Sequence, residues 1–218
     1  MPTDTPSSQS WLVIGGTSGI GREVVRQLSE AGLPVKAFGR SAAEAGFDAG
    51  VEPCVGDARN ADDVAKALAG VSVVVQALGV KERPGMLWER ETLFSEATQL
   101  LLPAMEAAGV KRLITVTGYG AGDTRASMSA PARLAQKLVL GRIYEDKGRQ
   151  EELIKASDLE WTLVQPGLLT NGSLSKRYKV LSDPKSWHLG MISRADVADF
   201  VVSVGRDETH VHETVVLA

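Results

Sequence analysis

Between Trp11 and Glu23 the chain reads WLVIGGTSGIGRE. Gly15, Gly19 and Gly21 stand at a spacing that brings main chain close to a phosphate. Gly15 lets the backbone turn sharply off a strand, Gly19 lets it approach a pyrophosphate, and Gly21 lets a following helix pack tightly. Thr17, Ser18 and Ile20 complete the loop. A helix starting there offers free N–H groups and a partial positive charge to the anion. A glycine pattern alone also fits an ordinary strand-to-helix loop. The apolar run Trp11-Leu12-Val13-Ile14 before it and the amphipathic run after it supply the context of a dinucleotide site.

Other residues fall where such a site needs them. A site for NAD places Asp or Glu after the second strand, to accept from the ribose 2′-OH. Here Phe38-Gly39 is followed by Arg40 and Ser41. Arg40 is a planar donor suited to a 2′-phosphate, Ser41 adds a hydroxyl, and Arg22 in the preceding helix is placed to help. A charge-assisted bond of about 1.5–3 kcal/mol favours NADP(H) over NAD(H) about ten- to a hundredfold. Asp57 has two readings: it accepts from the adenine amino group, or it caps the helix starting near Ala61. Ala58 stays small beneath the ring. Leu78-Gly79 would let the ribose lie against main chain. Pro166, Gly167 and Leu168, at the end of a later strand, complete the cofactor side. Cys54 reads as a buried, inert thiol. His210 and His212 alternate on a strand face with no third ligand, so no metal site is expected.

These positions require alternating elements. Strands are expected at 11–14, 33–39, 51–55, 71–77, 111–117, 160–165 and 215–217, with a short one near 178–181. Helices are expected at 19–31, from 61 to about 70, at 92–108, 128–140, 144–156 and from 194 to about 204, the last capped by Ser193. Pro103 predicts a kink in the third. The irregular stretch Val80–Arg90, with Trp88, leaves a central strand at the ligand-binding edge. Trp88, Trp187 and Met128 are placed to line a pocket or to serve as core. The near-continuous apolar runs mark strands buried on both faces of a parallel sheet. The fold expected is α/β, a Rossmann-type, doubly wound, mostly parallel sheet in a single domain over 11–218, with substrate-side elements at about 168–190.

Composition narrows the classes. The 218 residues carry a formal net charge of -3 and one cysteine. No basic stripe suited to nucleic acid is visible, and one cysteine excludes an intrachain disulfide framework. Residues 1–10 are polar and lack the pattern of a signal peptide, so they read as a disordered tail. No apolar run is long enough to span a bilayer. The expected setting is cytoplasmic, with a small-molecule substrate, no nucleic-acid or membrane partner, and a monomer or homodimer.

The opening GGTSGIGR resembles the short-chain dehydrogenase/reductase signature. CVGDARNADDVAKALAG, EAAGVKRLITVTG, YEDKGRQEELIKASDLEWTLVQPGLLTNG and MISRADVADFV resemble its atypical branch, the NAD(P)H-binding proteins around biliverdin-IXβ reductase (flavin reductase) and the NmrA-like proteins. That resemblance implies an NADPH-dependent oxidoreductase passing hydride to a small conjugated or carbonyl substrate: flavin, quinone, enone or ketone. Two alternatives stay open: a dinucleotide-binding regulator of NmrA-like type without turnover, and a non-redox isomerase or epimerase with bound cofactor.

The chain departs from the short-chain pattern in two places. Ser18 stands where the atypical branch tends to carry a second glycine. The Tyr-x-x-x-Lys pair is one residue short, as Tyr144-Glu-Asp-Lys147. One residue rotates a helical side chain by about 100°, so Tyr144 is not expected to inherit the donor role, and Tyr144→Phe is expected to leave turnover within about tenfold. The acid candidates become Thr117 and Tyr119, with Lys147 nearby. Tyr119 also fits a loop aromatic on the sheet edge. Lys147 has two readings: a ribose-hydroxyl ligand, or a solvated charge paired with Glu151 at i+4.

Overall fold

The computed structural model describes residues 9–79 and 92–218. The expected stretch around Trp88 and the first eight residues lie outside them. Alternate residues of β1 (Trp11–Ile14) face opposite sides, as the two-residue strand period requires: Trp11 and Val13 enter one core, Leu12 and Ile14 the other. Around β1 lie β2 (Val35–Gly39), β3 (Val51–Val55), β4 (Val73–Gln76), β5 (Arg112–Val116), β6 (Glu160–Pro166), β8 (Val180–Leu181) and β10 (Glu213–Leu217). Their order is β3-β2-β1-β4-β5-β6-β10-β8, parallel except for β8. The chain winds outward from β1 to β3 and returns on the other side at β4. This reversal is the switch point where such sheets bind ligands.

On one face α1 (Gly19–Glu30) packs against α5 (Arg194–Asp207), burying Val24, Val25 and Leu28 with Val197, Val201 and Val204. The Trp11 ring lies so close to Gly205 that a side chain there would collide with it. The other face carries α2 (Ala61–Ala67), α3 (Leu93–Ala108) and α4 (Ala130–Lys155), over Val64, Leu101, Met105 and Ile154. Asp146 of α4 is fully buried and accepts from the main-chain N–H groups of Phe94 and Ser95 at 2.9 and 3.2 Å, joining α4 to the start of α3. Such bonds at a helix N-terminus satisfy donors the helix itself cannot.

The doubly wound sheet is the expected one, with three differences. The two helices expected at 128–140 and 144–156 are one helix of 26 residues running through Gly141. A glycine costs a helix only about 1 kcal/mol, and the tertiary contacts of Ile143, Asp146, Gln150 and Ile154 outweigh it. A second sheet of β7 (Leu168–Thr170) and β9 (Met191–Ser193) stands over the edge where β6 ends. His210 and His212 lie in the turn before β10, both at positive φ, rather than on a strand face.

Candidate functional site

The C-terminal ends of β1 to β6 open onto one edge. At β1, Gly15 sits at φ +87°, and a Cβ there would stand 2.5 Å from the Ala77 carbonyl oxygen at the end of β4. A side chain on Gly21 would collide with the Gly15 carbonyl. Gly19 differs: φ is +56°, and nothing lies within 4 Å of where its Cβ would be. Ser18 is exposed and caps α1 without a side-chain bond. Main chain, open space and an uncapped helix start meet here, which suits a pyrophosphate. The half-buried Ile20 packs on the core, and the Thr17 methyl lies where a Cβ on Gly39 would be 3.0 Å away.

Arg40 and Ser41 are exposed at the end of β2. Arg22 does not join them. It donates to the carbonyls of Ala45 and Gly46 at 2.7 and 3.2 Å and covers the Phe47 ring, so it holds the β2–β3 connection. Asn60, not Asp57, caps α2, accepting from Asp62 and Asp63 N–H groups at 3.0 and 3.1 Å. That removes the capping reading of Asp57, whose carboxylate accepts from Arg59 N–H at 2.9 Å. Ala58 is buried with Phe38 and Val64, so its small size serves the core rather than an adenine ring. Arg59, which the sequence did not single out, is half-exposed, its guanidinium 3.8 Å from Asp57. Leu78 is half-buried and Gly79 exposed, with open space around it. The Cys54 thiol is half-buried, and burial pushes its pKa up.

At the β5 end the materials change. Lys147 Nζ donates to the Thr117 carbonyl at 2.5 Å and lies 5.1 and 5.9 Å from the ring centres of Phe94 and Tyr144. Burial pushes its pKa down to about 8, against the pull of Glu151. Tyr144 is at this strand end too: a Cβ on Gly118 would be 3.0 Å from its hydroxyl. The short spacing thus does not keep Tyr144 away from the β5 end. Three residues turn a helix by about 300°, which leaves Tyr144 and Lys147 neighbours on one face. Burial raises the Tyr144 and Tyr119 hydroxyls above the ordinary tyrosine pKa, so both are neutral donors.

Thr117 is turned inward. It is 4 % exposed, and its hydroxyl donates to Glu151 Oε1 at 2.5 Å. Gln165 Nε2 donates to the same oxygen at 2.6 Å, and the Thr124 hydroxyl bonds Gln165 Oε1. Glu151 is 1 % exposed, and its Oε2 has no partner among the described residues. Burial raises its carboxyl pKa, opposed by the Thr117 and Gln165 bonds and by Lys155. The solvated Lys147–Glu151 pair is thus not formed; each side chain has an internal role. Glu151 and Gln165 were missed because nothing local distinguishes them from surface residues. Tyr119 is buried; its N–H bonds the Pro166 carbonyl at 3.0 Å, and its carbonyl accepts from Gln136 at 3.2 Å. Met128 packs on Gly120, and Trp187 donates to the Leu181 carbonyl at 3.0 Å. Gly167 and Leu168 continue from Pro166, bonded to Leu217 and Gly190 carbonyls at 3.0 and 2.8 Å, with Leu168 exposed.

A glycine-lined turn at the switch point of a parallel sheet, with a Tyr-Lys pair two strands away, defines a Rossmann-type nicotinamide-dinucleotide protein. Residues 15–208 match the NAD(P)H-binding family, and the chain belongs to it. It is 34% identical over 165 residues to the NAD(P)H azoreductase of Xenophilus azovorans, covering 75% of this chain and 49% of that protein. It is 27% identical over 202 residues to the photosystem II assembly factor Ycf39 of Guillardia theta, covering 88% and 59%. The chain thus spans about half the length of the curated relatives it matches. ChuY of Escherichia coli O157:H7, described as an anaerobilin reductase, has the same fold, with a TM-score of 0.79, 23% identity and 96% of each chain covered. No helix among the described residues is long and apolar enough to cross a membrane.

Proposed function

We propose that the chain is an NADPH-dependent reductase of a small conjugated or carbonyl acceptor, of the flavin, quinone, azo, enone or ketone kind. The observation that carries this reading is the convergence of the phosphate-loop cradle and the Tyr144–Lys147 face on one sheet edge. The fit to the dinucleotide rests on main chain: collisions would follow any side chain at Gly15 or Gly21, while Gly19 faces open space. Arg40 and Ser41 receive the 2′-phosphate, which sets NADP(H) above NAD(H). When bound, the reduced nicotinamide supplies two electrons and one hydrogen as hydride.

The chain does the rest. Lys147, held between the Thr117 carbonyl and the Phe94 ring, binds ribose hydroxyls. Tyr144 holds a proton at the β5 end and gives it to an acceptor that needs one as the hydride arrives, with Tyr119 as the second donor. Thr117, committed to Glu151, positions the strand end. A flavin takes its proton from solvent and needs none of these hydroxyls. The test follows the reduced-nicotinamide absorbance with a panel of azo compounds, quinones, enones and flavins. Oxidation of NADPH by one or more of them is expected. NADPH binding without oxidation by any would leave the NmrA-like, non-turnover reading. Reduced cofactor that copurifies and is never consumed would leave the isomerase.

A further inference from the structure

α4 changes character along its length. Its C-terminal half is held in the molecule by Asp146, Gln150, Glu151 and Ile154, none more than 1% exposed. Its N-terminal half, capped by Ser129, touches the body along one side. There Gln136 donates to the Tyr119 carbonyl at 3.2 Å, and Ile143 is buried. The other side carries Leu134 and Leu138, 60% and 72% exposed. At about 100° per residue these leucines form one row, each about 160° round from Gln136. Arg133 and Lys137 flank the row on one side and Arg142 on the other, all within about 100° of Leu134.

No acid occurs between Thr124 and Tyr144. The turn at Gly122–Ser127 contacts the turn at Pro184–Ser186, which brings a second stretch of the same character beside the first. In that stretch Arg177, Lys179 and Lys185 are exposed, with Leu174, Val180 and Leu189 exposed among them. Arg133, Lys137, Arg142, Arg177, Lys179 and Lys185 pair with no carboxylate among the described residues. The whole chain has net charge -3, so its acid excess lies elsewhere.

We infer that the N-terminal half of α4, with the adjoining stretch 174–189, docks on an anionic lipid surface. Leu134 and Leu138 enter the acyl boundary, and the flanking cations meet headgroup phosphates. A leucine row with cations on both flanks is the pattern of a helix lying in a membrane interface, because long basic side chains reach outward to the headgroups while their stems stay with the apolar row. The acid excess of the rest of the chain is repelled by the same surface, so this end turns toward it. Two other occupants fit less well. Small-molecule sites are concave, whereas Leu134 and Leu138 stand on the convex side of a helix. A second copy seated through the same face would set Arg133, Lys137 and Arg142 against their own counterparts, with no acid in the stretch to meet them. An interfacial helix needs no spanning run, the feature on which the expectation of no membrane partner rested. The inference stands apart from the reductase reading, and its test involves no turnover.

The test is sedimentation of the full chain with vesicles of phosphatidylcholine, pure or containing about 30 mol % phosphatidylglycerol. Partitioning is expected to be about tenfold or more stronger with the anionic vesicles, and to fall as salt rises from about 20 to about 300 mM. Two paired changes, Leu134→Gln with Leu138→Gln and Arg133→Gln with Lys137→Gln, should each weaken it about tenfold or more. All four positions are exposed, so circular dichroism and NADPH affinity should hold. Val55→Thr, at the exposed apolar residue outside both stretches, should change nothing. No sedimentation with anionic vesicles at low salt would overturn the inference, as would binding that both paired changes leave intact. A dimer in sedimentation equilibrium that the leucine pair abolishes, without vesicle binding, would overturn it in favour of a second copy.

Discussion

At the end of β1 the site is bounded by main chain, with Gly15 against the Ala77 carbonyl and Gly21 against Gly15. At the end of β5 it is bounded by side chains from α4, with Lys147 on a carbonyl, Tyr144 against Gly118, and Glu151 behind Thr117. The first region works by lacking side chains, the second by placing them. A gap tolerates no addition, whereas a placed side chain can be trimmed atom by atom. The two regions should therefore fail differently under mutation.

The largest effect is expected at Gly19. Its Cβ would meet no neighbour, so Gly19→Val costs the fold only the strain of a side chain at φ +56°; it should still fold by circular dichroism, with a lowered melting temperature, yet show no dinucleotide binding by calorimetry. Undiminished binding would move the phosphate elsewhere. The next separates hydroxyls in the side-chain region. With a ketone, enone or azo acceptor, Tyr144→Phe should cost about 10²–10⁴ in single-turnover rate, the usual range for a lost general acid. Thr117→Val should act mainly through stability, because its hydroxyl serves Glu151. The opposite ranking would restore Thr117 as donor. Turnover should also fall as pH rises through about 8, where Lys147 loses its proton, and Lys147→Met should remove that limb.

Arg40→Ala tests the outer rim of the main-chain region. It should raise the NADPH dissociation constant about ten- to a hundredfold and leave NADH nearly unchanged. Equal weakening would show that Arg40 does not read the 2′-phosphate. The smallest effect is expected away from both regions. Asp196 accepts from the main-chain N–H groups of Ser175 and Lys176 and from the hydroxyls of Ser175 and Ser193, all at 2.8–2.9 Å. Burial alone would raise its pKa, but these bonds outweigh it and hold the carboxyl low. Its contribution is therefore full at neutral pH and lost only as pH falls through a value below the ordinary 3.8. Asp196→Asn should cost about 1–3 kcal/mol by denaturant titration at pH 7 and much less in strong acid.

The same contrast explains what the chain disclosed in advance. Gly15, Gly19 and Gly21 shape local backbone, so their spacing was enough to place the turn, and the position of Arg40 followed from the end of a strand. Glu151 could not be read that way. Its place depends on Gln165 of β6 and Thr117 of β5, which come together only in the folded sheet, and at i+4 from Lys147 it reads as an ordinary surface partner. The single helix through Gly141 read as two, 128–140 and 144–156, because the burial of Ile143 and Ile154 that holds it together is not visible locally. Tyr144 was set aside by rotation per residue, although the sum over three residues returns it to the Lys147 face.

Asp196 has one more consequence, for how such a chain can be rebuilt. It holds residues 175–176 largely through main-chain N–H groups, which every residue except proline offers. Ser175 and Tyr178 add side-chain bonds, to Asp196 and Asp199. A foreign segment transplanted between Asn171 and Lys179, matched in length, keeping that serine and tyrosine and carrying glycine or asparagine for the left-handed backbone at 176, would find the same anchors on α5. The sheet and the dinucleotide cradle would not register the exchange. The stretch is thus a module that can be exchanged on an unchanged chassis.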